Sequence, residues 1–142
     1  MSVELPQRPE WVSRIKVFFY DTDAAGVVHN VAYLRLIEQA RSELAEHLGW
    51  KLSEMKGEGD CPVVARTEID YLKPARLGDT LEIQAQLSRL EKVRFWIDFV
   101  LRREGDTTVL VKARQMMVTV SLGTMRPRPL RREWIERWPE LG

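Results

Sequence analysis

The sequence predicts an α+β domain in which one long helix lies against an antiparallel sheet. Two observations carry that prediction. Apolar residues recur at three- and four-residue spacing through one stretch, Tyr33 to Leu48. Beyond Asp60 the period changes to two, and runs of β-branched and aromatic residues alternate with glycine- and acid-containing turns. A helix with one apolar stripe and a sheet with one apolar face must each be covered, and each can cover the other.

In chain order, Ile15, Val17 and Phe19 alternate loosely with Val12, Arg14 and Lys16, which predicts a first strand from Trp11 to Tyr20. Asp21 to Gly26 has the composition of a turn. The helix follows, with Tyr33, Leu34, Ile37, Ala40, Leu44, Ala45 and Leu48 on its apolar stripe. It is expected to start near Asn30, a residue suited to the N-cap, and to stop at Gly49, suited to the C′ position. That gives about 18 residues and a length of roughly 27 Å. Lys51 to Asp60 is expected to be a loop, with a short helical turn around Leu52 to Met55. Four strands complete the set: Val63 to Leu72, a segment in which Leu81, Ile83, Ala85 and Leu87 alternate with Glu82, Gln84 and Gln86, Val93 to Arg102, and Thr107 to Leu122. The last two are joined by the tight turn Glu104-Gly105-Asp106. After Gly123 a basic tail punctuated by Pro127, Pro129 and Pro139 carries Trp134 and Trp138. It is expected on the surface, as a short helix or an extended arm. The whole chain, 1–142, is expected to be a single domain with its core at about 11–124 and its tail at 125–142.

Composition narrows the function. The chain has 142 residues, 44% of them hydrophobic, enough to bury a core. Its 22 Lys and Arg balance 21 Asp and Glu, so a net charge of +1 supplies no field to attract nucleic acid or an anionic membrane. Glu4, Arg8 and Glu10 interrupt the N-terminus, and no stretch approaches the about 18 apolar residues of a membrane span. The cytoplasm is the expected location, without membrane insertion. Cys61 is the only cysteine and His29 and His47 the only histidines, so neither an internal disulfide nor a metal site is expected. Cys61 precedes Pro62, has no base near it in sequence, and reads as an inert thiol.

Chemistry concentrates at the junction of the first strand and the helix. Tyr20 to Tyr33 runs Y-D-T-D-A-A-G-V-V-H-N-x-x-Y and packs two carboxylates, an imidazole and an amide into one turn. Aspartates suit turns on conformational grounds alone. Asp23, however, stands just before a helix whose free N–H groups and positive dipole end can hold a developing oxyanion. A second motif, Tyr71-Leu72-Lys73-Pro74-Ala75-Arg76-Leu77-Gly78-Asp79, runs Y-x-x-P-A-x-x-G-D. Together, in this order, they closely resemble the signature of the hotdog-fold acyl-CoA thioesterases, the family named for 4-hydroxybenzoyl-CoA thioesterase. The resemblance extends from about Val12 to Thr124.

That resemblance implies a hotdog fold, a curved five-stranded antiparallel sheet wrapped around one long central helix. It implies hydrolysis of an acyl-CoA thioester to a free acid and coenzyme A, with no metal or redox cofactor. In the family the second aspartate of D-x-D-x-x-G is the nucleophile or the general base; by position this is Asp23, with Asp21 in support. Backbone N–H groups near His29 to Val31 are the implied oxyanion donors. Gly26 serves the turn and also leaves room for a thioester to approach the backbone. Some relatives carry histidine where this chain has Asn30 and others asparagine, so His29 does not match a family histidine. It is read either as a helix-start residue or as one that orients the thioester or water. Asn30 is read as the cap or as a donor to the thioester carbonyl. Tyr20 and Tyr33 either shape the acyl pocket or belong to the core. Glu38 shares only its place on the central helix with the catalytic carboxylate of another hotdog subgroup; at helical spacing it suits an ion pair with Arg35 or Arg41. Arg66, Lys73, Arg76, Arg126, Arg128, Arg131 and Arg132 suit either coenzyme A phosphates or solvent. A homodimer or homotetramer is implied, with acyl pockets drawn from two subunits. The alternative reading is a non-catalytic module that binds acyl-CoA or acyl-carrier protein on the same fold.

Overall fold

The computed structural model describes residues 4–51 and 59–142, so the helical turn expected around residues 52–55 lies outside the described residues. Strands β1 (Glu10–Lys16), β2 (Asp60–Tyr71), β3 (Thr80–Leu90), β4 (Arg94–Arg103) and β5 (Val109–Ser121) form one sheet in the order β1-β3-β4-β5-β2. Every neighbouring pair is antiparallel. Helix α1 (Asn30–His47) has the 18 residues its apolar period predicts. Its buried stripe, including Leu36, Ile37, Ala40 and Leu44, joins Leu81, Ile83, Phe95, Ile97, Phe99 and Leu101 from the sheet in one core. Each such buried aliphatic or aromatic side chain contributes roughly 1.5–3 kcal/mol. The predicted α+β class and five-stranded antiparallel sheet are therefore what the chain forms.

The first strand is shorter than its composition suggests. β1 ends at Lys16, and Phe19–Asp21 forms a single 3-10 turn. The physical cause is a competing partner: the Phe18 N–H donates to Asp21 Oδ2 at 3.0 Å and the Asp21 N–H to the Phe18 carbonyl at 3.0 Å. Those bonds close the chain on itself where a ladder would have had to continue.

Both ends of α1 are capped. At the start, the cap is His29, not Asn30: His29 Nδ1 accepts the Ala32 N–H at 3.1 Å, and Asn30 is the first helical residue. At the end, Gly49 takes φ +84°, with Trp50 N–H bonded to Ala45 O at 2.8 Å and Gly49 N–H to Glu46 O at 3.1 Å. These two bonds make the paired C-terminal motif that glycine permits.

The tail forms the short helix that was one of its two expected forms, but its position is a correction. Trp134, on helix α2 (Arg132–Arg137), is 2% exposed and Trp138 is 1% exposed. Trp134 Nε1 donates to the Leu48 carbonyl at 3.1 Å, and its ring meets Trp50 and Phe95 edge-on, each at 5.5 Å. The tail closes the core at the C-terminal end of α1 instead of lying on the surface.

Candidate active site

Residues 21–29 form a narrow tongue between β1 and α1. The Asp23 N–H donates to Val27 O at 2.9 Å and the His29 N–H to Asp21 O at 3.1 Å, so the two limbs run side by side. Gly26 turns the tip at φ +75°, a conformation that costs other L-residues on the order of 1–2 kcal/mol. A Cβ built there would meet nothing within 4 Å, so the backbone at the tip stands in open space.

The two aspartates of the tongue have opposite environments. Asp21 is 1% exposed; its carboxylate takes Arg35 Nη2 at 2.6 Å and the Phe18 N–H at 3.0 Å. Asp23 is exposed, and only its Oδ1 is engaged, by the Ala25 N–H at 2.8 Å. Its other oxygen has no hydrogen-bond partner among the described residues. Asp21 holds the tongue to the body of the protein, and Asp23 presents a carboxylate to solvent.

The tongue runs directly into α1. Because His29 Nδ1 accepts the Ala32 N–H, the capping imidazole is assigned as neutral with its proton on Nε2. The N–H groups of Asn30 and Val31 find no acceptor among the described residues, as expected for the first turn of a helix. Asp23, Gly26, His29, Asn30 and Val31 thus lie on one continuous segment, the tongue and the helix start it leads into.

Of the two tyrosines, Tyr33 lines a groove beside this helix start and Tyr20 does not. Tyr33 is 4% exposed, its hydroxyl oxygen accepts the Ala75 N–H at 3.0 Å, and its edge lines an open groove of about 320 Å³ with Val28, Asn30, Tyr71, Leu72 and Lys73. Burial pushes the Tyr33 phenol above its usual value, and the Ala75 N–H offsets part of that rise. Tyr20 is 68% exposed, stacks on Phe18 at 5.9 Å and lies beneath the Arg35 guanidinium at 5.6 Å, away from that groove. Sequence reasoning passed over Tyr71, whose ring lies 5.4 Å from Tyr33 and whose hydroxyl donates to Asn30 O at 3.4 Å. It heads the second motif, which was the available signal.

Ion pairs account for several other candidates. Glu38 pairs with Arg41 at 2.8 Å, while Arg35 is committed to Asp21. Burial lowers the Arg41 guanidinium below its usual value, partly restored by Glu38. Arg66, Arg128, Arg131 and Arg132 pair with Glu68, Asp60, Glu133 and Glu136. Of the cations named above, Lys73 is the one lining the groove. A second cavity, of about 20 Å³ and bounded by Leu48, Trp50, Phe95, Met117 and Trp134, holds no more than a water-sized group. Of these two spaces, the larger is an open groove and the enclosed one is too small for an acyl chain. Among the described residues, no cluster of three or more His, Cys, Asp or Glu could hold a metal ion, and no helix is long and apolar enough to cross a membrane.

Residues 17–138 match the family model of the thioesterase-like superfamily. The chain belongs to that family. Among its thioesterase-like relatives is the acyl-CoA thioester hydrolase YbgC of Escherichia coli O6:H1, 32% identical over 117 residues that cover 82% of this chain and 86% of the relative. A 1,4-dihydroxy-2-naphthoyl-CoA hydrolase of Thermosynechococcus vestitus is 33% identical over 102 residues, covering 71% of this chain and 70% of the relative. Among solved structures, a protein of Aquifex aeolicus superposes with a TM-score of 0.80 at 28% identity, over 89% of this chain and 98% of that one. A 1,4-dihydroxy-2-naphthoyl-CoA thioesterase from Synechocystis shares the fold, with a TM-score of 0.81 at 22% identity, over 93% and 97% of the two chains. The protein is a hotdog-fold thioester hydrolase, as the two motifs imply.

Proposed function

We propose that this enzyme hydrolyses an acyl-CoA thioester to a free carboxylic acid and coenzyme A in the cytoplasm, with Asp23 as the reacting carboxylate. One observation carries the assignment: the half-engaged, exposed Asp23 carboxylate and the unclaimed Asn30 and Val31 N–H groups belong to one tongue-and-helix unit. The thioester oxygen accepts from those N–H groups, which stabilise the negative charge that grows there as the carbonyl is attacked. Asp23 either attacks the carbonyl carbon or takes a proton from the water that does. With water as the nucleophile, the carbon–sulfur bond breaks, the thiolate takes up the proton that Asp23 removed from the water, and the acid remains. With Asp23 as the nucleophile, the same cleavage leaves a mixed anhydride on Asp23. A water molecule then hydrolyses it, giving the acid, the regenerated carboxylate and the proton that the thiolate takes up. Gly26 keeps the tip clear, and the neutral His29 keeps the helix start in register.

The working unit is a homodimer, with a homotetramer as its further assembly. β2 is a 12-residue edge strand, and Val64, Tyr71 and the adjoining Leu72 are 43%, 51% and 54% exposed. A long, partly apolar edge invites a second strand, and pairing across a two-fold axis covers it in both copies. The groove beside Asn30 includes Tyr71 at the end of β2, so a partner strand would supply the missing wall of an acyl pocket. Full activity of a monomer in dilute sedimentation runs would rule this assembly out.

The decisive experiment is thiol release from a panel of short-chain, long-chain and aromatic acyl-CoAs, with wild type and Asp23→Asn. Asparagine keeps the bond from Ala25 but not the base or nucleophile, so kcat is expected to fall by at least roughly a hundredfold while the fold persists. Equal rates on every substrate would refute the assignment. Chelators are expected to leave the wild-type rate unchanged.

A further inference from the structure

The tongue that carries Asp23 is braced from outside by the second motif. The Val28 N–H donates to Ala75 O at 2.8 Å and the Leu77 N–H to Gly26 O at 3.0 Å, and Val27 stands opposite Arg76. Residues 26–28 and 75–77 therefore pair as two very short antiparallel strands. The bracing segment is itself a tight reversal between β2 and β3, and a single side chain sets its width. Arg103, the last residue of β4, donates from Nε to Asp79 Oδ2 at 2.8 Å and from Nη2 to the Pro74 carbonyl at 2.8 Å. The same Asp79 oxygen accepts the Arg76 N–H at 2.8 Å. One planar fork thus closes both ends of the reversal, and the Tyr33 hydroxyl ties its middle to α1 through the Ala75 N–H. The Arg103 and Asp79 side chains are 31% and 20% exposed, so the contact is partly shielded from water.

Asp23 needs such a brace. Among the described residues its own side chain is fixed to Ala25 alone, inside the same tongue, so its position relative to the start of α1 depends on how the tongue as a whole is held. We propose that Arg103 is a positioning residue for thioester hydrolysis: it fixes the 74–79 reversal, the reversal fixes residues 26–28, and these fix Asp23. The inference rests on the reading of Asp23 as the reacting carboxylate. Arg103 acts through its geometry, not its charge alone, because a lysine ammonium cannot reproduce a fork that meets two acceptors at once.

The test is steady-state thiol release by Arg103→Ala, Arg103→Lys and Asp79→Asn, each also combined with Asp23→Asn. A misplacement of about 1 Å costs up to about a hundredfold, so Arg103→Ala is expected to lower kcat at least tenfold with KM within about threefold. Arg103→Lys is expected to fall nearly as far. Methylguanidinium added to Arg103→Ala is expected to restore part of kcat, while leaving wild type unaffected. In the Asp23→Asn background the loss of Arg103 is expected to cost less than about twofold more, because the carboxylate it positions is already gone. A merely stabilising role would lower the melting temperature of both backgrounds and leave kcat unchanged at temperatures where the variants are folded. An Arg103→Ala enzyme with wild-type kcat, or an undiminished loss in the Asp23→Asn background, overturns the inference. Should Arg103→Ala fail to fold, Arg103→Lys and Asp79→Asn carry the same comparison, and wild-type kcat in both overturns it equally. A fully active Asp23→Asn sinks the reading of Asp23 and the inference with it. An inactive Asp23→Asn beside a fully active Arg103→Ala sinks the inference alone.

Discussion

Replacing Asp21 by asparagine puts one acceptor where two donors converge. In the native chain Oδ2 takes the Phe18 N–H at 3.0 Å and Oδ1 takes Arg35 Nη2 at 2.6 Å. An amide can satisfy one of them with its oxygen and must turn its own NH₂ toward the other. If the oxygen stays with the part-buried Phe18 N–H, that bond loses its charge assistance, at a cost of roughly 1 kcal/mol. Arg35 then loses its partner, but its side chain is 46% exposed and water replaces the carboxylate, so this contributes no more than about 1 kcal/mol. The sum is about 2 kcal/mol, which at about 4 °C per kcal/mol for a chain of this size is a drop of about 8 °C in Tm. Asp23→Asn should behave in the opposite way. Its single bond from the exposed Ala25 N–H survives the change, so Tm should move by no more than about 2 °C while the rate collapses. Thermal unfolding followed by circular dichroism, paired with thiol release well below Tm, reads both quantities for both variants. The reasoning fails if Asp21→Asn melts with wild type, or if Asp23→Asn melts as low as Asp21→Asn. A consequence for the active-site experiment is that Asp21→Asn is not a silent control, and its rates must be taken where it is fully folded.

Three further outcomes follow from the geometry. Gly26→Ala meets no neighbour but must adopt φ +75°, so urea unfolding should show a loss of about 1–2 kcal/mol, with Gly26→Asn milder. Because burial raises the Tyr33 phenol above its reference value of 10.0, the unfolded chain releases this proton first; the stabilising contribution is complete below that pH and is lost as pH rises through the folded value. Tyr33→Phe should therefore remove a phase above pH 10.0 from the alkaline absorbance titration, and an unchanged titration would contradict the assignment. Trp134→Ala empties a site 2% exposed and strands the Leu48 carbonyl, so calorimetry should show a loss of about 3–5 kcal/mol.

Periodicity made the scaffold legible. The stripe from Tyr33 to Leu48 specified α1, and strict alternation from Leu81 to Leu87 specified the interior strand β3, because each repeats the geometry of the face it buries. Elements went astray where a hydrogen bond overrode composition. Phe18 to Tyr20 has strand-forming side chains, yet the Asp21 carboxylate captures the Phe18 N–H and turns the chain. Asparagine is the better cap by type, yet the bond from His29 to Asp21 O fixes the helix start so that the imidazole, not the amide, reaches the Ala32 N–H. The tail was misjudged for a different reason: its prolines and arginines mark a surface segment, and nothing in so short a stretch signals that Trp134 and Trp138 complete a core built elsewhere.

The same contrast divides the site. Asp21 to Asn30 are neighbours in sequence and stay neighbours in space, so their chemistry is readable as a motif, although only the structure separates a buried, paired Asp21 from an exposed Asp23. Pro74 to Asp79 is a second motif, and its backbone bonds to Gly26 and Val28 explain why the two belong together. Arg103 belongs to neither. It lies 24 residues from Asp79 and 29 from Pro74, and a lone arginine at the end of a strand is what solvent alone would select. What brings it to the reversal is the β3–β4 register, which sets Arg103 opposite Leu81, two residues beyond Asp79. A slip of one residue in that register would turn Arg103 to the other face of the sheet and leave the 74–79 reversal without its clasp. The placement of Asp23 is therefore tied to a hairpin on the far side of the chain, through contacts that no local pattern can encode.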